Sequence, residues 1–124
     1  MPTLVSSKLP PRGLYAISNG PRPDLLAACA SALQGGAAVL QYRDKTGEHD
    51  RRRAEATALA DLCTRFHVPL IINDDVELAA SAGAAGVHLG EDDDNIASAR
   101  RRLGNAAIIG ASCYDSIDRA RELA

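Results

Sequence analysis

Val39-Leu40-Gln41-Tyr42-Arg43-Asp44-Lys45 begins apolar and passes into alternating polar residues. Successive side chains on a strand point to opposite faces, so Gln41, Arg43 and Lys45 project to one side and Tyr42 and Asp44 to the other. An amide and two cations sharing one face at the carboxyl end of an apolar strand are costly to bury without a partner. A phosphorylated ligand at the strand end is such a partner. The stretch is read as the end of a strand, Ala37 to Tyr42, inside an alternating strand and helix chain.

Working outward from it, Met1 to Arg12 reads as an arm, because Pro10-Pro11 blocks regular structure. Gly13 to Ile17 is the first strand, closed by the turn signal Asn19-Gly20. Pro23 in a first turn and Gly35-Gly36 at the end bracket a helix whose stripe is Leu25, Cys29, Ala32 and Leu33. On the other side, Thr46-Gly47 leads into a helix over His49 to His67. Leu59, Leu62 and Phe66 form its buried stripe, and Arg51-Arg52-Arg53 are expected to face solvent. Pro69 to Asn73 is an unbroken apolar run, the pattern of a strand buried on both faces of a parallel sheet. Val76 to Ala82 follows as a short helix stopped by Gly83, then Gly86 to Leu89 as a strand and Asn95 to Leu103 as a helix stopped by Gly104. Ala107 to Ala111 is the last strand, and Asp115 is expected to cap a last helix over Ser116 to Leu123. Strands each followed by a helix predict βαβ units and parallel pairing, in a single α/β domain spanning 13–124 behind the arm of 1–12.

The bulk properties narrow the function. The 124 residues carry a formal charge of −2 and only 3% aromatic residues. No basic excess exists for nucleic acid or an acidic membrane surface, so any phosphate recognition must be local. Cys29, Cys63 and Cys113 are odd in number and widely spaced, which suits reduced thiols. With no signal-peptide pattern and no apolar run of membrane-spanning length, a cytoplasmic location is expected.

Function in parallel α/β folds gathers at the carboxyl ends of strands. Here those ends carry Gln41, Arg43 and Lys45; Asn73, Asp74 and Asp75; Glu91 to Asp94; and Ser112. Cations that hold a phosphate beside carboxylates that hold Mg2+ suit a diphosphate, since Mg2+ takes a few carboxylates plus phosphate oxygens and water. Plainer roles stand beside these. Asp74 or Asp75 could cap the helix opening at Val76, and Asp94 the one opening at Asn95, which is the commoner role of a single Asp there. Arg43 and Lys45 could be solvated loop residues. His88 reads as an internal hydrogen-bonding residue, because no second His stands at ligand spacing, and Cys113 has no evident base near it. The residues by themselves point to a Mg2+-assisted, phosphate-handling α/β enzyme of undetermined reaction.

Four motifs in order carry a resemblance. They are Gln-x-Arg-x-Lys (Gln41, Arg43, Lys45), Ile-Asn-Asp-Asp (Ile72 to Asp75), Gly-Val-His-Leu-Gly-x-x-Asp (Gly86 to Asp93) and Gly-x-Ser (Gly110 to Ser112). From about Leu14 onward the chain resembles the thiamine phosphate synthase (thiamine-phosphate pyrophosphorylase) family. The resemblance implies a (β/α)8 TIM barrel, of which this chain would be the N-terminal part of about five βα units. It implies a transferase reaction in which hydroxymethylpyrimidine diphosphate loses diphosphate and the thiazole nitrogen of a thiazole phosphate captures the carbocation. By motif match, Arg43, Lys45 and Asn73 would bind the diphosphate, Gln41 and Ser112 the pyrimidine, and Asp74 and Asp93 the Mg2+, with Asp92 as a substitute for Asp93. No general base or covalent nucleophile is required. A thiazole tautomerase-like paralogue and a non-catalytic half-barrel that binds a phosphorylated ligand or partner are the alternatives.

The chain departs from the family in length, since such a barrel needs roughly 200 to 250 residues. The late strands, with a Gly-x-Gly-Pro segment and a following lysine, have no counterpart in the 124 residues. Two open sheet edges are therefore expected, at Leu14 to Ile17 and Ala107 to Ala111. The inward faces of Leu70-Ile71-Ile72 and Val39-Leu40 are expected to lie bare. A chain of this extent, if it is the whole molecule, should self-associate through the edges, aggregate, or derive from a longer chain, and should lack synthase activity on its own.

Overall fold

The structure is a computed structural model that describes residues 9–90 and 93–124, without the side chains of 93–95. Strands β1 (Tyr15–Ile17), β2 (Val39–Tyr42), β3 (Leu70–Asn73), β4 (Gly86–Leu89) and β5 (Ile108–Ala111) alternate with helices α1 (Leu25–Gln34), α2 (His49–Phe66), α3 (Val76–Ala82), α4 (Asp93–Leu103) and α5 (Ile117–Leu123). The strands lie in the order β1-β2-β3-β4-β5, each parallel to the next. The expected α/β class holds: five βα units build one open, all-parallel five-stranded sheet, the arrangement expected of the first part of a (β/α)8 barrel.

Period two sorts each strand. Leu40 and Tyr42, Leu70 and Ile72, and Val87 and Leu89 are buried in one cluster with Leu25, Cys29 and Leu33 of α1, Leu59, Leu62 and Cys63 of α2, Leu78 and Ala79 of α3, and Ala99 of α4. Burial pushes the Cys63 thiol up to about 12, so it packs as a small neutral hydrophobe. The opposite parity of the same strands faces the concave side. Gly86 is required on β4 beside β5, because a Cβ there would overlap the Ile108 carbonyl. Among the described residues no helix is long and apolar enough to cross a membrane.

Several expectations change. α4 starts at Asp93 rather than Asn95, as the positive end of a helix favours carboxylates in its first turn. Ser116, not Asp115, caps α5: its backbone is extended and its Oγ accepts from the Arg119 amide at 3.0 Å. The middle of the concave face is not bare, for Val39 and Ile71 are only 4% and 1% exposed. Bare apolar surface falls instead on the β1 edge, where Leu14 and Ile17 are 65% and 56% exposed. Arg51 and Arg52 do not face solvent. They turn back onto carboxylates of the loops after β2 and β3, whereas Arg53 is exposed.

Candidate functional site

A cleft of about 480 Å³ opens at the carboxyl ends of the strands, lined by Tyr15, Ile17, Gln41, Arg43, Lys45, Asn73, Asp74, His88, Gly90, Ser112 and Tyr114. Register explains why these residues meet. Ile17 pairs with Gln41, Asn73 with His88, and His88 with Gly110, two residues before Ser112. Neighbouring strands thus deliver side chains of one parity to one face.

The cleft floor is preorganised. Gln41 is buried, and its Nε2 donates to the Tyr15 hydroxyl at 3.0 Å. His88 Nε2 lies 2.9 Å from Ser112 Oγ. Gly110 leaves the space that the imidazole fills, as a Cβ there would stand 2.7 Å from His88 Nδ1. Asp74 adopts a left-handed backbone, φ 64°, while its amide donates to the His88 carbonyl at 2.8 Å. Such a conformation is uncommon away from glycine, though Asp and Asn tolerate it best. Asn73 Nδ2 donates to Asp74 Oδ2 at 3.2 Å.

Arg43 and Lys45 are exposed in the cleft, and neither has a carboxylate partner among the described residues. The Arg43 backbone is fixed: its amide donates to Ser18 Oγ at 3.0 Å, and the Gly20 amide donates to its carbonyl at 3.2 Å. Between them Asp44 points the other way. Its side chain is fully buried and accepts from Arg51 Nη1 at 2.7 Å, Thr46 N at 3.0 Å and Thr46 Oγ1 at 2.8 Å. The Arg51 guanidinium bond, with the Thr46 donors, holds the Asp44 carboxyl down to about 2 against burial, which pushes it up. Arg51 also reaches Glu48 and Glu55, and Tyr42, whose hydroxyl donates to Glu55 at 2.6 Å, is raised above its usual range mainly by burial.

Gln41, Arg43, Lys45, Asn73, Asp74 and Ser112 are therefore brought to one cleft. Asp75 is not in it. It caps α3 by accepting from the Leu78 amide at 2.9 Å and pairs with Arg52 at 3.2 Å. Glu91, Asp92 and the side chain of Asp93 lie outside the described residues. Sequence reasoning passed over Tyr15, Ile17 and Tyr114, and it saw in His88 only an internal hydrogen bond. Tyr15, Ile17 and His88 share the parity of the cleft residues, a signal that was available; Tyr114 sits in a loop with φ 54° and gave none.

Among the described residues no group of three or more metal-ligating side chains forms. Asp74 is the carboxylate that lines the cleft among those residues. One or two carboxylates completed by substrate phosphate oxygens is the usual protein share for Mg2+, so the donor set fits that ion bound together with a phosphorylated ligand.

The family model described as "Thiamine monophosphate synthase" matches residues 14–124. The chain is 53% identical over 111 residues to the thiamine-phosphate synthase of Halorhodospira halophila, covering 90% of this chain and 53% of that protein. It is 57% identical over 112 residues to the thiamine-phosphate synthase of Nitrosococcus oceani, covering 88% and 52%. The solved thiamine phosphate pyrophosphorylase from Pyrococcus furiosus superposes with a TM-score of 0.78 at 30% identity, covering 89% of this chain and 54% of that one. The chain thus spans about half the length of the curated relatives it matches.

Proposed function

The chain belongs to the thiamine monophosphate synthase family, and from that premise we propose that its cleft binds hydroxymethylpyrimidine diphosphate and ejects the diphosphate so that a thiazole phosphate can capture the pyrimidine, giving thiamine phosphate. The observation that carries the reading is the pair of cations, Arg43 and Lys45, lying without carboxylate partners among the described residues in the same cleft as Asn73 and Asp74.

Each group has a task in the proposed reaction. A departing diphosphate gains negative charge, and fixed donors aimed at where that charge develops lower the barrier. Arg43 can present two parallel donors to phosphate oxygens, Lys45 a point charge, and Asn73 a neutral amide donor. Gln41, already held by Tyr15, and Ser112, held by His88, would orient the pyrimidine ring through hydrogen bonds. Asp74, together with Asp93, would hold Mg2+, which when bound neutralises charge on the leaving group. No side chain is asked to form a covalent bond.

The test is an assay of the full protein with both phosphorylated substrates and Mg2+. Thiamine phosphate and inorganic diphosphate should form in equal amounts, and Asp74→Asn should slow turnover by about 100-fold, the scale of losing one preorganised charge-stabilising group. Absence of product from the wild type, or full Mg2+-dependent turnover in Asp74→Asn, would refute the proposal.

A further inference from the structure

Two consecutive arginines in the first turn of α2 reach back to carboxylates that alternate with the cleft residues. Arg51 Nη1 lies 2.7 Å from Asp44 Oδ2, and its Nη2 donates to Thr46 Oγ1 at 2.8 Å. Arg52 Nη2 lies 3.2 Å from Asp75 Oδ2. Asp44 stands between Arg43 and Lys45, and Asp75 directly follows Asp74. The two anchored carboxylates point away from the cleft, and the three groups beside them point into it.

The charges explain why anchoring matters. Asp44 is 0% exposed at its side chain, and a buried carboxylate left without a cation is strongly destabilising. If Arg51 did not supply that cation, the nearest alternatives in sequence would be Arg43 and Lys45 themselves. An ion pair between either of them and Asp44 would withdraw it from the cleft. Arg51 instead engages Asp44 on the helix side, and Thr46, bonded to both, fixes the turn that follows. Arg52 acts in parallel on Asp75, which is also tied to the Leu78 amide, one residue beyond the left-handed backbone of Asp74.

We propose that Arg51 and Arg52 are positioning residues, a two-armed brace from α2 that keeps the Arg43 and Lys45 cations and the Asp74 carboxylate directed into the cleft. The brace rests on the phosphate-site reading of those three groups, but it makes a separate statement about the loop after β2. It assigns a task to two residues of a run whose composition marks it as an ordinary solvated helix face.

The experiment has a ligand arm and a ligand-free arm, both on the full protein. In calorimetric titration with inorganic diphosphate and Mg2+, Arg51→Gln and Arg52→Gln should each weaken binding about tenfold, the low end of what partners behind a binding shell contribute. In an Arg43→Gln/Lys45→Gln background, Arg51→Gln should cost nothing further, whereas a merely structural role would leave its cost intact. Without ligand, hydrogen exchange of the Thr46 amide should quicken on the order of tenfold in Arg51→Gln while the amides of Ile72 and Val87 keep their protection. Should Arg51→Gln fail to fold, Arg51→Lys keeps the charge, loses the forked donor and serves the same comparisons. Unchanged Thr46 exchange, unchanged diphosphate affinity, or a full Arg51 effect in the cation-free background would overturn the brace. A wild type that binds no diphosphate would refute the proposed function, and the brace would then stand or fall on the exchange result.

Discussion

On β2, Leu40 and Tyr42 pack against helices, while one residue away on each side Val39, Gln41 and Arg43 belong to the concave face. β3 repeats the division with Leu70 and Ile72 against Ile71 and Asn73, and β4 repeats it with Val87 and Leu89 against His88 and Gly90. The helix side is specified by volume, and interior packing tolerates little change in it. The cleft end is specified by donors and charge, and Gln41, Asn73 and Ser112 are ordered there by hydrogen bonds. Packing against the helices and the lining of the cleft thereby fall to alternate residues of the same strands.

The largest expected effect tests the helix side alone. Ile72→Ala removes a fully buried side chain and should destabilise the protein by about 2–5 kcal/mol in denaturant titrations, with diphosphate affinity of the folded protein unchanged. Asp74→Asn tests the cleft side alone. Asn tolerates the left-handed backbone, so its melting midpoint should stay close to wild type while turnover falls about 100-fold, equivalent to roughly 2.7 kcal/mol. A large drop in stability there would break the division between faces.

Gly110→Ala is designed to blur the division. The new Cβ would press on the His88 ring, so a loss of about 1–3 kcal/mol from overpacking should come with weakened binding, because Ser112 loses its partner. Asp75→Ala should cost about 1 kcal/mol through the lost α3 cap, measurable by thermal melts, and should be additive with Ile72→Ala. The last effect is on pH. Because Asp44 titrates near 2 instead of its ordinary 3.8, its contribution is present above about pH 4 and fades as pH falls towards 2. Asp44→Asn should flatten the acid limb of the stability profile over that window, and an unchanged limb would remove Asp44 from the pairs lost on acidification.

The strands and most of the cleft were legible because both depend on period two. Gln41, Arg43, Asn73 and Ser112 could be placed together without knowing any distance, since carboxyl ends of parallel strands converge. The brace was not legible. Three successive arginines at a helix start look like a solvated face, and Arg51 finds Asp44 only once the turn through Thr46 brings them to 2.7 Å. The Asp75 cap was one of two stated options, and only the left-handed backbone of Asp74 decides between them. The start of α4 was misplaced because an acidic run before a helix serves equally as loop or first turn. The inward apolar faces were expected bare because strand spacing alone does not report how the side chains of a curved sheet cover one another.

The cations that follow β2 on the cleft side are proposed to form a diphosphate site. Titrating inorganic diphosphate with Mg2+ into the full wild-type protein and into Arg43→Gln tests it most directly. Clear binding by the wild type is expected, with an affinity about 10- to 100-fold weaker in Arg43→Gln, the scale of losing a charge-assisted bidentate contact, at an unchanged melting midpoint. Equal affinities for the two proteins would contradict it.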